Sequence, residues 1–193
     1  MTAQLPKLIL ASRSPRRREL LAAAGYAFEV GVPSETAECG VCSGETAAQL
    51  VARLAYQKAA DVARRIAAGL VLGCDTVAEC RGQILGKPLD QTHARAMLTA
   101  LSGREHRVLS GLCLWPVPDG EPAVRVAVTT LRMDPLTPEQ LAAYLAGDRW
   151  EGKAGAFGYQ DGLDWVHVID GSESNVVGLP MELLAEMVRP YCR

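Results

Sequence analysis

Apolar positions along the chain switch between two spacings, and the switches predict alternating strands and helices. The apolar runs at residues 8–11 and 70–74 have the length of short buried strands, and 28–32 reads as another strand. Between residues 46 and 67, Leu50, Leu54, Val62 and Ile66 recur every four residues, which predicts the longest helix, closed by Gly69. Ser14 and Pro15 occupy the N-cap and first helical positions of an earlier helix over 15–24 that stops at Gly25. Further along, residues 77–80 and 83–85 read as a hairpin around Arg81-Gly82, and 91–101 as a helix stopping at Gly103. Residues 107–115 and 123–133 read as long strands around Pro118-Asp119-Gly120. Thr137-Pro138 opens a helix to 146, residues 164–169 form a strand, and a last helix starts near Pro180. The sum is a mixed α/β chain, read as one unit over residues 1–193, either compact or as two lobes around a cleft.

Composition narrows what such a chain can do. Its 193 residues carry 20 Lys and Arg against 22 Asp and Glu, a formal net charge of −2. That balance excludes a nucleic-acid binder working through bulk basic charge, and 49% hydrophobic residues exclude wholesale disorder. The first apolar run is too short for a signal-peptide core, and no stretch approaches a membrane span. The six cysteines then read as reduced thiols of a soluble, cytoplasmic protein; Cys39 and Cys42 have CxxC spacing but no second pair with metal-site spacing. Any charge-based function must therefore be local.

Four constellations concentrate the chemistry. In the first, residues 12–18, Ser12-Arg13-Ser14-Pro15 and three arginines, Arg16 among them, lie between a strand and a helix. Cations are unfavourable at a helix N-terminus unless an anion joins them, so hydroxyls, backbone N–H groups and guanidiniums here make a phosphate cradle. The plainer alternative is a solvated basic turn. Second, Lys58 falls in register with the apolar stripe of the long helix, where it either faces a ligand or snorkels to water. Third, Gly73-Cys74-Asp75-Thr76 puts a carboxylate at the end of an apolar strand, a usual place for ligands in α/β folds, where it can hold a metal or activate water. Gly86-Lys87-Pro88 follows with another cation but fails the GxxxxGK[ST] pattern. Fourth, Lys153 and Gln160 bracket small residues that let a ligand approach backbone, and the Gln160 amide can read a base edge. The turn at 172–180 reads as an N-cap with a buried apolar start. His93, His106 and His167 have no metal spacing, and no Ser/His/Asp set stands out. Fixed cations plus isolated carboxylates suit a polyphosphate substrate with a divalent metal.

The segments LILASRSPRRRELL, RLAYQKA, GCDT, GKP, LSGREH, KAGAFGYQ and GSESNVVGLP stand in the order and spacing of the Maf (septum formation) family, and the chain resembles it over nearly its whole length. The resemblance implies an elongated α/β fold of the inosine-triphosphate-pyrophosphatase type, a mixed twisted sheet with flanking helices, two lobes around a deep cleft, and a homodimer. It further implies hydrolysis of nucleoside triphosphates between the α and β phosphates, to a nucleoside monophosphate and pyrophosphate. By motif, Asp75 corresponds to the proton acceptor and Glu38 to an acidic partner at a divalent metal, Mg²⁺ or Mn²⁺, with Asp75 also facing that metal. Arg16, Arg17, Lys58 and Lys87 would clamp the triphosphate, Lys87 being counted with the catalytic groups; Ser12 lies in the same loop and Lys153 joins the substrate set. Thr76 and Gln160, with Arg17, resemble the branch acting on dTTP and UTP, with roles in nucleotide-pool housecleaning and cell division arrest.

Some positions depart from the family pattern. Ala37 removes an acid from the early D-x-D-E stretch, Gln57 replaces the Glu before Lys58, Cys74 replaces Ala, and Phe157, Tyr159 and Asp161 vary the base-side loop. Two rival functions remain from the sequence. One is a non-catalytic nucleotide sensor regulating septum formation, and the other a nucleotidyltransferase, whose LxxGxGTR loop this chain lacks.

Overall fold

A computed structural model describes residues 6–37, 42 and 44–192. It is a mixed α/β arrangement, in the order β1 (Leu8–Ala11), α1 (Pro15–Ala23), β2 (Phe28–Val30), α2 (Ala47–Ala63), β3 (Gly69–Cys80), β4 (Gln83–Leu85) and α3 (Gln91–Leu101). There follow β5 (Glu105–Val117), β6 (Ala123–Met133), α4 (Pro138–Leu145), β7 (Val166–Asp170), α5 (Glu173–Val177) and α6 (Met181–Val188). One seven-stranded sheet has the order β2-β1-β3-β5-β6-β7, with β4 also on β3. The pairs β2/β1 and β1/β3 are parallel, and the rest are antiparallel. Among the described residues no helix is long and apolar enough to cross a membrane.

Two expectations fail here in ways that place the site. The predicted break after residue 74 does not exist: β3 runs unbroken for 12 residues because β5 pairs with it from Gly69 to Glu79. Asp75 therefore lies in the middle of a strand, opposite Gly111, rather than at its end. Its other edge is where the discontinuity falls. β1 accompanies β3 only to the Ala11–Gly73 pair, and β4 joins only at Ala78, so residues 74–77 have no strand partner on that side among the described residues. At such a notch a ligand reaches both faces of the sheet. The long helix also ends at Ala63, four residues early, and Gly69, expected to close it, opens β3 instead; Leu70 N–H must already bond the Lys7 carbonyl beside β1 at 2.8 Å.

α2 covers one face of β3 and β5 and starts on a capping box, in which Thr46 and Gln49 bond each other's backbone N–H. Its approach is unusually close because two glycines lie beneath it. A Cβ at Gly73 would strike the Ala55 carbonyl, and one at Gly111 the Val51 backbone. That depth is what presses Lys58, only 5% exposed, down to the level of Asp75. On the opposite face two apolar clusters pack separately. One gathers Leu8, Leu10, Leu21, Leu72 and Leu184 beneath α1 and α6, and the other Ala78, Leu98, Leu131, Leu145 and Phe157 beneath α3 and α4. The two-lobed expectation corresponds to these clusters, which flank the notch.

His106 packs against the second cluster, 2% exposed and edge-on to the Phe157 ring at 5.4 Å. Burial lowers its pKa below the ordinary 6.5, against a weaker opposing pull from the Arg104 carbonyl. A depressed folded-state value means that the unfolded chain takes the proton first. The stability conferred by neutral His106 is complete above about pH 6.5 and is lost as pH falls toward the depressed folded value. The urea midpoint of the wild type should fall more steeply between about pH 7 and 5 than that of His106→Leu; parallel slopes would refute it.

Candidate active site

The notch opens into a cleft of about 610 Å³ whose walls come from several segments distant in sequence. After β1 the chain reverses sharply, Ser12 N–H bonding the Leu10 carbonyl at 3.0 Å, and enters α1 through Pro15. Ser14 stands at the N-cap as expected, but its side chain makes no capping bond; its N–H instead donates to Ser12 Oγ at 3.2 Å. The first turn of α1 thus faces the cleft carrying Arg16 and Arg17. β3 supplies Asp75 and Thr76, the segment after β4 supplies Lys87, and the loop before β7 supplies Lys153 and Gln160. Ser12, Arg16, Arg17, Lys58, Asp75, Thr76, Lys87, Lys153 and Gln160 all line this one cleft. Glu38 lies outside the described residues.

Charge is concentrated as the net balance hid. Among the described residues, Arg13, Arg16, Arg17, Lys58, Lys87 and Lys153 line the cleft against two carboxylates, Glu35 and Asp75. Lys58 Nζ donates to Asp75 Oδ1 at 2.6 Å, with the two side chains only 6% and 14% exposed. This contact fixes the carboxylate plane and engages one of its oxygens.

Arg17 is the other buried cation, 8% exposed. Its Nε donates to the Gly178 carbonyl at 2.8 Å and Nη1 to Ser12 Oγ at 3.1 Å and the Cys74 carbonyl at 2.8 Å. Nη2 donates to Thr76 Oγ1 at 3.1 Å. Four of the five guanidinium N–H groups thus hold protein acceptors, and the Cys74 carbonyl is one the missing strand partner leaves open. Thr76 Oγ1 is shared in turn with Ser110 Oγ at 2.8 Å. Arg16, by contrast, reaches across the cleft to the Gly152 carbonyl at 2.8 Å. Burial, and next the Arg17 guanidinium, pull its pKa below the ordinary arginine value. A bound polyanion would offset the repulsion from Arg17 and supply the buried guanidinium with a counter-charge.

The far wall differs from the expectation in its partners. Lys153 forms an ion pair with Asp161, both sides largely buried, so its ammonium turns toward the loop that carries Gln160. Gly155 N–H bonds the Gly86 carbonyl at 3.0 Å, fastening this loop beside Lys87. Several lining groups escaped the sequence reading. Val108, Val176, Val177 and Gly178 close the cleft, and the turn read as a plain N-cap is one of its walls. Ser172 does cap α5, accepting from Asn175 N–H at 3.4 Å, so that reading was right locally and incomplete. Nothing in the sequence marks Val108; the Gly178 carbonyl becomes legible only through Arg17.

A cation-lined notch in a sheet edge, with one oriented carboxylate at its base, defines an α/β protein built to hold a polyanion and act on it. The chain belongs to the Maf-like family: the family model described as "Maf-like protein" matches residues 7–191. A "dTTP/UTP pyrophosphatase" of Rhodopirellula baltica is 60% identical over 185 residues, covering 95% of this chain and 82% of its own. Proteins of the same description from an Anaeromyxobacter species and from Oleidesulfovibrio alaskensis are each 45% identical, covering 95% and 97% of this chain and 88% and 86% of theirs. A crystal structure of a nucleoside-triphosphatase / dITP/XTP pyrophosphatase from Mycobacterium abscessus aligns over 95% of this chain and 96% of its own, at 15% identity and a TM-score of 0.44.

Proposed function

We propose that the chain is a nucleoside triphosphate pyrophosphatase that hydrolyses dTTP and UTP to the nucleoside monophosphate and pyrophosphate. The observation that carries it is the Asp75 carboxylate, held by Lys58 at 2.6 Å at the base of a cleft that also bears Arg16, Arg17 and Lys87. The relatives named above, of which the first is 60% identical, supply the substrate class. Water attacks the α-phosphorus, the bond to the bridging oxygen breaks, and pyrophosphate leaves with that oxygen. Asp75 Oδ2 accepts the proton of the attacking water, while Lys58 fixes Oδ1 and so the direction in which Oδ2 points. Arg16 and Lys87 meet the charge growing on the leaving group, and Thr76 and Gln160 face the nucleoside side.

No group of three or more His, Cys, Asp or Glu suited to a metal occurs among the described residues. With one Asp75 oxygen engaged by Lys58, the other leaves Asp75 fit to serve as a single carboxylate contact to a Mg²⁺ or Mn²⁺ ion that substrate phosphates would help to hold; Glu38, outside the described residues, is the second acid that the family motif assigns. When bound, such an ion supplies charge neutralisation on the phosphates. We extend the proposal to a single working unit over residues 1–193, acting in the cytoplasm as a homodimer and without nucleic acid or membrane. Free thiols at Cys42, Cys74, Cys80, Cys113 and Cys192 favour that compartment, and exposed Val124, Val128 and Ile169 on the outer strands favour self-association.

Incubating the protein with each nucleoside triphosphate and Mg²⁺ in ¹⁸O-water tests the reaction. Pyrophosphate and labelled monophosphate should form, fastest from dTTP and UTP. Label in pyrophosphate, or release of orthophosphate, would refute attack at the α-phosphorus. No release from any nucleotide would favour the sensor, and release that requires a sugar phosphate would favour the transferase.

A further inference from the structure

Gln160 is exposed, yet both of its neighbours are tied down. Tyr159 and Asp161 belong to one 3-10 turn, closed by Asp161 N–H on the Gly158 carbonyl at 3.0 Å and Gly162 N–H on the Tyr159 carbonyl at 3.3 Å. The Tyr159 hydroxyl donates to Glu173 Oε1 at 2.9 Å, fastening the turn to α5. Asp161 is ion-paired with Lys153. That pair lies over Gly158, where any Cβ would collide with both the Lys153 ammonium and the Asp161 carboxylate. The Gly158 N–H meets the Tyr144 hydroxyl at 3.3 Å, anchoring the start of the turn in the α4 cluster. The phenol is protonated and so donates at neutral pH, and the hydrogen bond to Glu173 pushes its pKa further above the ordinary tyrosine value. Two independent anchors therefore flank one amide.

An amide needs such restraint to discriminate bases. Its two ends are nearly the same shape, one donating and one accepting. In one orientation it matches the O4 and N3–H edge of thymine or uracil, and in the flipped orientation it matches the N4–H₂ and N3 edge of cytosine. We infer that the Tyr159–Glu173 hydrogen bond and the Lys153–Asp161 ion pair are the frame that positions Gln160, so that Lys153 serves base selection rather than the triphosphate. Lys153, Asp161, Tyr159 and Glu173 are positioning residues that act through Gln160. The inference rests on the pyrimidine triphosphate reading above and deepens it.

The test compares Tyr159→Phe, Lys153→Met, Asp161→Asn, Glu173→Ala and Glu173→Gln with the wild type. Three quantities are read: kcat and KM for dTTP, the kcat/KM ratio of dTTP to dCTP, and inhibition by inorganic tripolyphosphate, which carries no base. The first four variants should raise KM for dTTP and lower the ratio by about fivefold, the worth of one net hydrogen bond, with kcat for dTTP little changed. Glu173→Gln keeps an acceptor oxygen for Tyr159 and should retain the wild-type ratio. Tripolyphosphate should inhibit Lys153→Met and wild type equally. Weaker tripolyphosphate inhibition of Lys153→Met would make Lys153 a phosphate ligand and overturn the inference. A wild-type ratio in both Tyr159→Phe and Lys153→Met would overturn it as well, leaving the pyrophosphatase reading intact. A wild-type protein that releases no pyrophosphate from dTTP would overturn both.

Discussion

Asp75→Asn should lower pyrophosphate release from dTTP by about 10²- to 10⁴-fold, the usual worth of a positioned general base. Asp75 is the carboxylate delivered by β3 at residues 74–77, where the sheet edge is open, and its Oδ1 is already held by Lys58 at 2.6 Å. Asparagine keeps the shape and keeps an oxygen toward the Lys58 ammonium, but the remaining atom can no longer accept a proton. The loss should therefore fall on kcat, with KM for dTTP changed only a few-fold. Weakening one charge-assisted hydrogen bond costs about 1–2 kcal/mol, so thermal unfolding should drop by only roughly 2–8 °C. Turnover near the wild-type rate would end the assignment. A lost rate accompanied by gross unfolding at room temperature would mean that the pair with Lys58 matters for the fold more than for the reaction.

Lys58 was legible in the sequence because charge in register with an apolar stripe is a local signal, four residues from Leu54 and from Val62. Its use was not, because the ammonium meets Asp75 only through the close approach of α2 over Gly73 and Gly111, a contact between distant segments. The same division holds for Asp75. A carboxylate after an apolar run was visible, but the run appeared to end there, since the pairing that extends β3 to Glu79 comes from β5, roughly thirty residues later. What makes the position functional is the change of partner from β1 to β4, and no local pattern encodes that. The ion pair of Lys153 and Asp161 spans eight residues. Each charge was visible in the sequence, but whether a lysine faces a phosphate or its own loop depends on how the chain folds over Gly158. Helix starts fared better: Thr137 and Gln140 bond each other as a capping box, with Pro138 at the first helical turn. Caps are encoded within four residues, while clefts are not.

Arg17 carries the second large expected effect, and it is one of stability as much as of activity. Its charge was readable as part of a basic turn, but its acceptors lie 5, 57, 59 and 161 residues away in sequence. By bonding the carbonyls of Cys74 and Gly178, it joins α1 to the open edge of β3 and to the segment after α5, so three walls of the cleft share one guanidinium. Arg17→Ala leaves two buried carbonyls and two hydroxyls to find other partners and opens a cavity between the walls. At about 1–3 kcal/mol for each buried group left unsatisfied, a loss on the order of 4 kcal/mol is expected. For a chain of this size that corresponds to a fall of roughly 8–16 °C in Tm. Arg17→Lys retains the positive charge but has a compact point donor in place of a planar fork, and cannot span four acceptors in three directions. It should therefore recover little of the lost Tm, and activity should fall with it because Thr76 and Ser12 lose their common partner. If Arg17→Lys instead restored Tm and turnover together, charge alone would suffice, and Arg17 would be a simple phosphate clamp rather than the joint that shapes the cleft.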